Sequence, residues 1–93
     1  GRVELARTDA FVLEAIDPRP ETVSWEVGQG SFELLTDLGD AHTAAAGTLR
    51  WDAGEATMPP GSSWLLPAGL GAVSLRGASR CARCWVPGPA TVR

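Results

Sequence analysis

Hydrophobic and polar residues alternate with a period of two in several short stretches of this 93-residue chain. In Thr22-Val23-Ser24-Trp25-Glu26-Val27, residues Val23, Trp25 and Val27 fall on one face and Thr22, Ser24 and Glu26 on the other, the pattern of a half-buried strand. Ala10 to Ile16 is rich in strand formers and ends at the turn Asp17-Pro18-Arg19-Pro20. Gly28-Gln29-Gly30 reverses the chain into Ser31 to Thr36, where Phe32 and Leu34 share a face, and the short loop predicts a hairpin between these two strands. Thr48 to Asp52 alternates again with Leu49 and Trp51 inward, and Ala53-Gly54 turns it into Glu55 to Met58. A last strand is expected from Ser79 to Val86, before the breakers Pro87-Gly88-Pro89. Gly39 to Gly47, small and polar, reads as a loop or weak strand. No stretch sustains a helical period. Short strands punctuated by 11 Gly and 7 Pro indicate an all-β, antiparallel sandwich or small barrel.

The organising stretch runs from Gly61 to Arg76. Trp64-Leu65-Leu66 is a short apolar run ended by Pro67, which offers no N–H to a ladder, and by Gly69; Ala72-Val73-Ser74-Leu75-Arg76 is expected to return as a strand. Gly61, Pro67 and Gly69 fall on fixed positions of a motif of the cupin superfamily: Gly, five residues, Pro, one residue, Gly, two residues, His, three residues, Asn. The chain has Ala72 at the His position and Arg76 at the Asn position, so the geometric half of the motif is present and the metal-binding half is missing.

The resemblance implies a jelly-roll, cupin-like domain. The order of features, Phe11-Val12-Leu13, a second strand headed by Phe32, the box from Gly61 to Ala68, and an apolar strand ending in Arg76-Gly77, is similar to the C-terminal domain of type I mannose-6-phosphate isomerase in its short bacterial form. Such isomerases interconvert mannose 6-phosphate and fructose 6-phosphate with a zinc ion held by His, Glu and Gln side chains of a preceding, larger cupin domain. None of those ligand motifs can be placed here. The resemblance therefore implies that residues 1–93 form one domain excised from the C-terminus of a longer cytoplasmic protein, with no catalytic residue and no cofactor of its own. Its expected partner is the zinc-bearing catalytic domain of the same chain, or a second copy.

Composition narrows the choice. The net charge is −3, and the eight cations are arginines scattered along the chain, which argues against a phosphate-backbone binder. No apolar run approaches the roughly 20 residues of a membrane helix, and no signal-peptide pattern opens the chain. Cys81-Ala82-Arg83-Cys84 has the spacing of half a zinc site, but two Cys and one His cannot supply four ligands, and a strand sends residues three apart to opposite faces. His42, beside Asp37 and Asp40 in sequence, reads as a solvent-exposed loop residue. No serine sits in a nucleophile elbow, and neither Gly28-Gln29-Gly30 nor Gly69-Leu70-Gly71 is long enough to cradle a phosphate.

Four tryptophans could form a sugar-stacking platform, but Trp25 and Trp51 fall on apolar faces and are expected in the core; Trp64 and Trp85 stay open. Placing Ala72 and Arg76 at the inward motif positions would send Val73 and Leu75 outward, an apolar strip for a partner to cover; simple alternation would bury both and expose Arg76. Arg76, Val73, Leu75 and Trp64 are therefore the candidate ligand or interface residues. The alternative to a companion domain is a stand-alone β-sandwich module that binds a small sugar or sugar phosphate near Arg76 and the tryptophans. A complete metal-dependent cupin enzyme is the least supported reading.

Overall fold

The structure, a computed structural model, describes residues 1–19, 21–39, 45–78 and 80–87. The described residues form nine strands and no helix: β1 (Arg2–Arg7), β2 (Val12–Ile16), β3 (Val23–Val27), β4 (Glu33–Asp37), β5 (Gly47–Trp51), β6 (Gly54–Met58), β7 (Ser63–Leu66), β8 (Gly71–Arg76) and β9 (Cys81–Trp85). They make two antiparallel sheets, a five-stranded one in the order β1-β2-β9-β4-β7 and a four-stranded one in the order β3-β8-β5-β6. The inner faces pack together as the antiparallel sandwich that the strand spacing and turn residues predict, in the jelly-roll arrangement that the resemblance implies. His42, Asp40 and most of the expected loop before Gly47 lie outside the described residues.

Sequence neighbours pair in only two places, β1 with β2 and β5 with β6; at every other connection the chain crosses between sheets. The expected hairpin of β3 and β4 is therefore corrected. β3 pairs with β8, β4 pairs with β7 and β9, and Gly28-Gln29-Gly30 carries the chain across the sandwich. Alternation says which face of a strand is buried and is silent on its neighbour; here both strands bury a face by opposing each other, and Trp25 Nε1 on β3 donates to Glu33 Oε1 on β4 at 3.0 Å. The corner after β7 behaves likewise: β8 returns into the other sheet, not beside β7. Gly69, at φ +78°, ties the two crossings together by donating its N–H to the Gly28 carbonyl at 2.7 Å.

β8 settles the register that the motif left in conflict. Val73 and Leu75 are buried, at 3 % and 0 % exposure, while Ala72 and Arg76 are exposed. Val73 lies opposite Trp25 and Trp51, and Leu75 opposite Val23 and Leu49. Burying a Val and a Leu gains about 1.5–3 kcal/mol each, whereas an inward Arg76 would need ion partners that this face does not offer. The apolar strip on β8 is thus part of the domain's own core, and the basis for an interface at Val73 and Leu75 is removed.

Candidate functional site

On the four-stranded sheet the rule of apolar inside and polar outside holds. Its outer positions include Ser24, Glu26, Arg50, Glu55, Ser74 and Arg76. The five-stranded sheet breaks the rule on both faces.

Its inner face carries charge. Along β2, Glu14 lies between Val12 and Ile16; along β4, Glu33 shares a face with Leu35; along β9, Arg83 lies between Cys81 and Trp85. All three are buried, at 7 %, 3 % and 6 % exposure. Arg83 donates from Nε to Glu33 Oε1 at 2.6 Å and from Nη2 to Glu33 Oε2 at 2.7 Å, a two-pronged clamp, and from Nη1 to Glu14 Oε1 at 3.0 Å. Arg2 Nε approaches Glu14 Oε2 at 3.5 Å from the edge strand. The guanidinium carbon stands 3.9 Å from the Trp85 ring centre and 5.3 Å from that of Trp25. Burial pushes the Arg83 pKa down, but the hydrogen bonds and charges of Glu33 and Glu14 more than offset this and leave it above the ordinary value. One end of the interior is thus plugged by a cation held between two carboxylates and two indoles. A shallow recess of about 230 Å³ opens beside it, lined by Glu26, Ser31, Glu33, Arg83, Trp85 and Val86 among others.

This cluster has little left over for chemistry. Both carboxylates are committed to Arg83. Among the described residues no group of three His, Cys, Asp or Glu could hold a metal ion. The positions that matched the cupin ligand motif, Ala72 and Arg76, lie on the outside of the opposite sheet. The described residues offer no set of side chains that fits a zinc ion.

At the other end of the same face, Cys81 sits fully buried opposite Ile16 and Asp37. Burial, with the charges of Asp37 and Asp17, pushes its thiol pKa up to about 12. Cys84 faces the opposite way and is half-buried, as the strand period requires; no disulfide joins the two. Trp64, on the inner face of β7 opposite Leu35, packs against the core and donates from Nε1 to Ser62 Oγ at 3.0 Å. Trp25 is buried, Trp51 packs on the core with one edge in a surface recess beside Arg50, Ala72 and Ser74, and Trp85 lies against Arg83.

The outer face of the five-stranded sheet is apolar. Val3, Leu5, Phe11, Phe32, Leu34, Leu65 and Val86 are 40–64 % exposed, and all belong to this sheet or to the residues flanking its strands. Phe32 and Leu34 do share a face, as alternation predicts, but it is this one. Sequence reading missed β1, although Val3 and Leu5 alternate with Arg2 and Glu4, and it missed the Arg83 clamp. The signal for the clamp was there: Glu14 lies in phase with Val12 and Ile16, which makes it an inward carboxylate in need of a cation.

No family profile matches the chain, and no curated protein matches it. Solved structures do. A mannose 6-phosphate isomerase from Salmonella typhimurium, bound to substrate and zinc, is 23 % identical with a TM-score of 0.71 over 91 % of this chain, which spans only 20 % of that one. KdgF from Halomonas sp. is 12 % identical with a TM-score of 0.65, covering 92 % of this chain and 76 % of its own. TT1209 from Thermus thermophilus is 20 % identical with a TM-score of 0.65, covering 94 % and 82 %. At such identities the likeness is one of fold, and it agrees with the topology and with the Gly61, Pro67 and Gly69 corner: the chain is an all-β, cupin-like jelly-roll domain.

Proposed function

We propose that this chain is a non-catalytic cupin-like domain of a mannose-6-phosphate isomerase-like protein of the cytoplasm, a structural companion to a zinc-bearing catalytic domain. The observation that carries the reading is the filled interior. Where an enzyme of this fold needs an open cavity with converging ligands, Arg83, Glu14, Glu33, Trp25 and Trp85 occupy the space and satisfy one another. The isomerase likeness, 23 % identical over a fifth of that enzyme, supports the choice of parent. The rival sugar-binding module has less behind it, because Trp25, Trp51 and Trp64 pack on the core and Trp85 lies against Arg83.

Two measurements test this. Purified chain supplied with zinc should show no conversion of mannose 6-phosphate to fructose 6-phosphate in a coupled assay; turnover above the zinc-only background refutes the non-catalytic reading. The reading frame that encodes the chain should also encode a domain with His, Glu and Gln zinc ligands upstream, and a frame without one refutes the companion role.

A further inference from the structure

We propose that the outer face of the five-stranded sheet is a self-association surface, on which a second copy of this chain docks face to face to form a two-fold dimer. The surface is a ridged one. Leu13, Cys84, Leu34 and Leu65 lie side by side across β2, β9, β4 and β7, and Ala15, Ala82, Thr36 and Ser63 form the next row. Val3, opposite Ala15, closes that row on β1. Continuing the register on the other side brings Phe11, Val86 and Phe32 into a third row. The row of Leu13 lies in the middle, with the Phe11 row on one side and the small row on the other, so the face presents two ridges followed by a trough.

A two-fold axis lying in the interface, parallel to the rows and between the middle ridge and the trough, places each copy's ridge in its partner's trough. Self-complementarity of this kind is what an isologous contact requires.

Area and charge favour a second copy as occupant. The exposed parts of Val3, Leu5, Phe11, Phe32, Leu34, Leu65 and Val86 amount to roughly 600 Å², at or beyond the largest apolar patch of an ordinary monomer. With their half-buried neighbours they approach the area of about 800 Å² per partner found in stable complexes. Cys84 is the only ionisable side chain in these three rows. Two copies of a chain of net charge −3 can thus meet along these rows without like charges facing each other, the nearest charges being Asp17 and Arg80 beyond the small row. The inference stands on this surface alone and is independent of the isomerase reading.

Cys84, on the central strand, supplies the probe. Two sheets packed face to face lie about 10 Å apart, so Cys84 and its copy come within reach of a short bis-maleimide, while Cys81 is buried and out of reach. The 93-residue chain should show a dimeric mass by light scattering at tens of micromolar, and the bis-maleimide should convert it to a covalent dimer that Cys84→Ser abolishes. Leu34→Glu with Leu65→Glu should give a folded monomer by mass and circular dichroism, whereas Thr57→Glu on the other sheet's outer face should stay dimeric. A wild-type chain that remains monomeric to about 200 µM, or that forms open aggregates without stopping at two, overturns the proposal and leaves the face to another domain. If the double variant fails to fold, the cross-link on the wild-type chain decides alone: no Cys84-dependent dimer, no interface.

Discussion

Replacing Arg83 with methionine removes the one cation that two buried carboxylates share, at little change in side-chain length. Glu33 would lose both of its charge-assisted bonds, at 2.6 and 2.7 Å, and Glu14 would keep only the looser approach of Arg2 at 3.5 Å. Breaking a buried pair by deleting one partner costs about 3–5 kcal/mol, because the remaining charge is left without compensation. A domain of this length has only about 5–14 kcal/mol of total stability, and a cost of that size lowers Tm by about 12–40 °C. Far-UV circular dichroism on heating and in urea measures both.

The sign of the pH dependence follows from Arg83. Its raised pKa means that its contribution is fully present below the ordinary arginine value and is lost only as pH climbs through the higher folded value. Arg83 is therefore charged throughout pH 4–8. The gap between wild type and Arg83→Met therefore owes nothing to titration of Arg83 itself over that range. Replacing all three groups, Glu14→Leu, Glu33→Leu and Arg83→Met, should recover most of the loss, since apolar substitutes for a buried ion cluster are often neutral or better. An Arg83→Met loss under about 1 kcal/mol at pH 7, or a triple variant no more stable than Arg83→Met alone, refutes the clamp as the keystone of the interior.

Cys81 gives an alkaline prediction with the sign of a group that is neutral when folded. Its pKa is raised from 9.0 to about 12, so its contribution is intact below pH 9 and falls by about 1.4 kcal/mol per unit from there toward 12, a slope that Cys81→Ala should remove in alkaline urea titrations. A Cβ added at Gly47 would meet the Ala78 Cβ at 2.5 Å, inside the core, so Gly47→Ala should cost about 1–3 kcal/mol. Gly54→Ala, whose nearest neighbour is a Trp51 ring atom at 3.9 Å, should be nearly neutral by the same urea assay and serves as the control.

Much of the architecture was legible because alternation and turn residues report on local geometry. Val23-Trp25-Val27, Leu49-Trp51 and the Gly61-Pro67-Gly69 corner all lie where the sequence places them. Pairing was less legible. Nothing local distinguishes a β3–β4 hairpin from a crossing between sheets, since Gly28-Gln29-Gly30 can make either; the crossing pairs β3 with β8 and β4 with β7 and β9, all distant in sequence, and lets Trp25 reach Glu33 across the interior. The β8 conflict shows how a motif can mislead: transferring the ligand positions onto Ala72 and Arg76 required Val73 and Leu75 to face outward, and alternation was the sounder guide. The Arg83 clamp escaped notice because its members are 69 and 50 residues apart, although each has the inward phase of its own strand.

β2, β9 and β4 place Glu14, Arg83 and Glu33 inside and Leu13, Cys84 and Leu34 outside. Sliding those strands by one residue would exchange the two sets, exposing the charges and burying the apolar side chains. Counting these six side chains alone, hydrophobicity favours the slipped register. The clamp holds the native one, because its three groups satisfy each other only when all three point inward, and a slip would also carry Val12, Ile16, Leu35 and Cys81 out of the core. Yet the clamp explains only why the inner face tolerates charge. It gives no reason for the outer face to be free of it, where Ser, Thr or Lys would cost the fold nothing. The two faces must therefore be accounted for separately, the inner by self-satisfied ion pairing and the outer by contact with another surface. Substitutions at Leu34 and Leu65 should accordingly change association and leave the unfolding free energy of the monomer within about 0.5 kcal/mol, the range for surface positions.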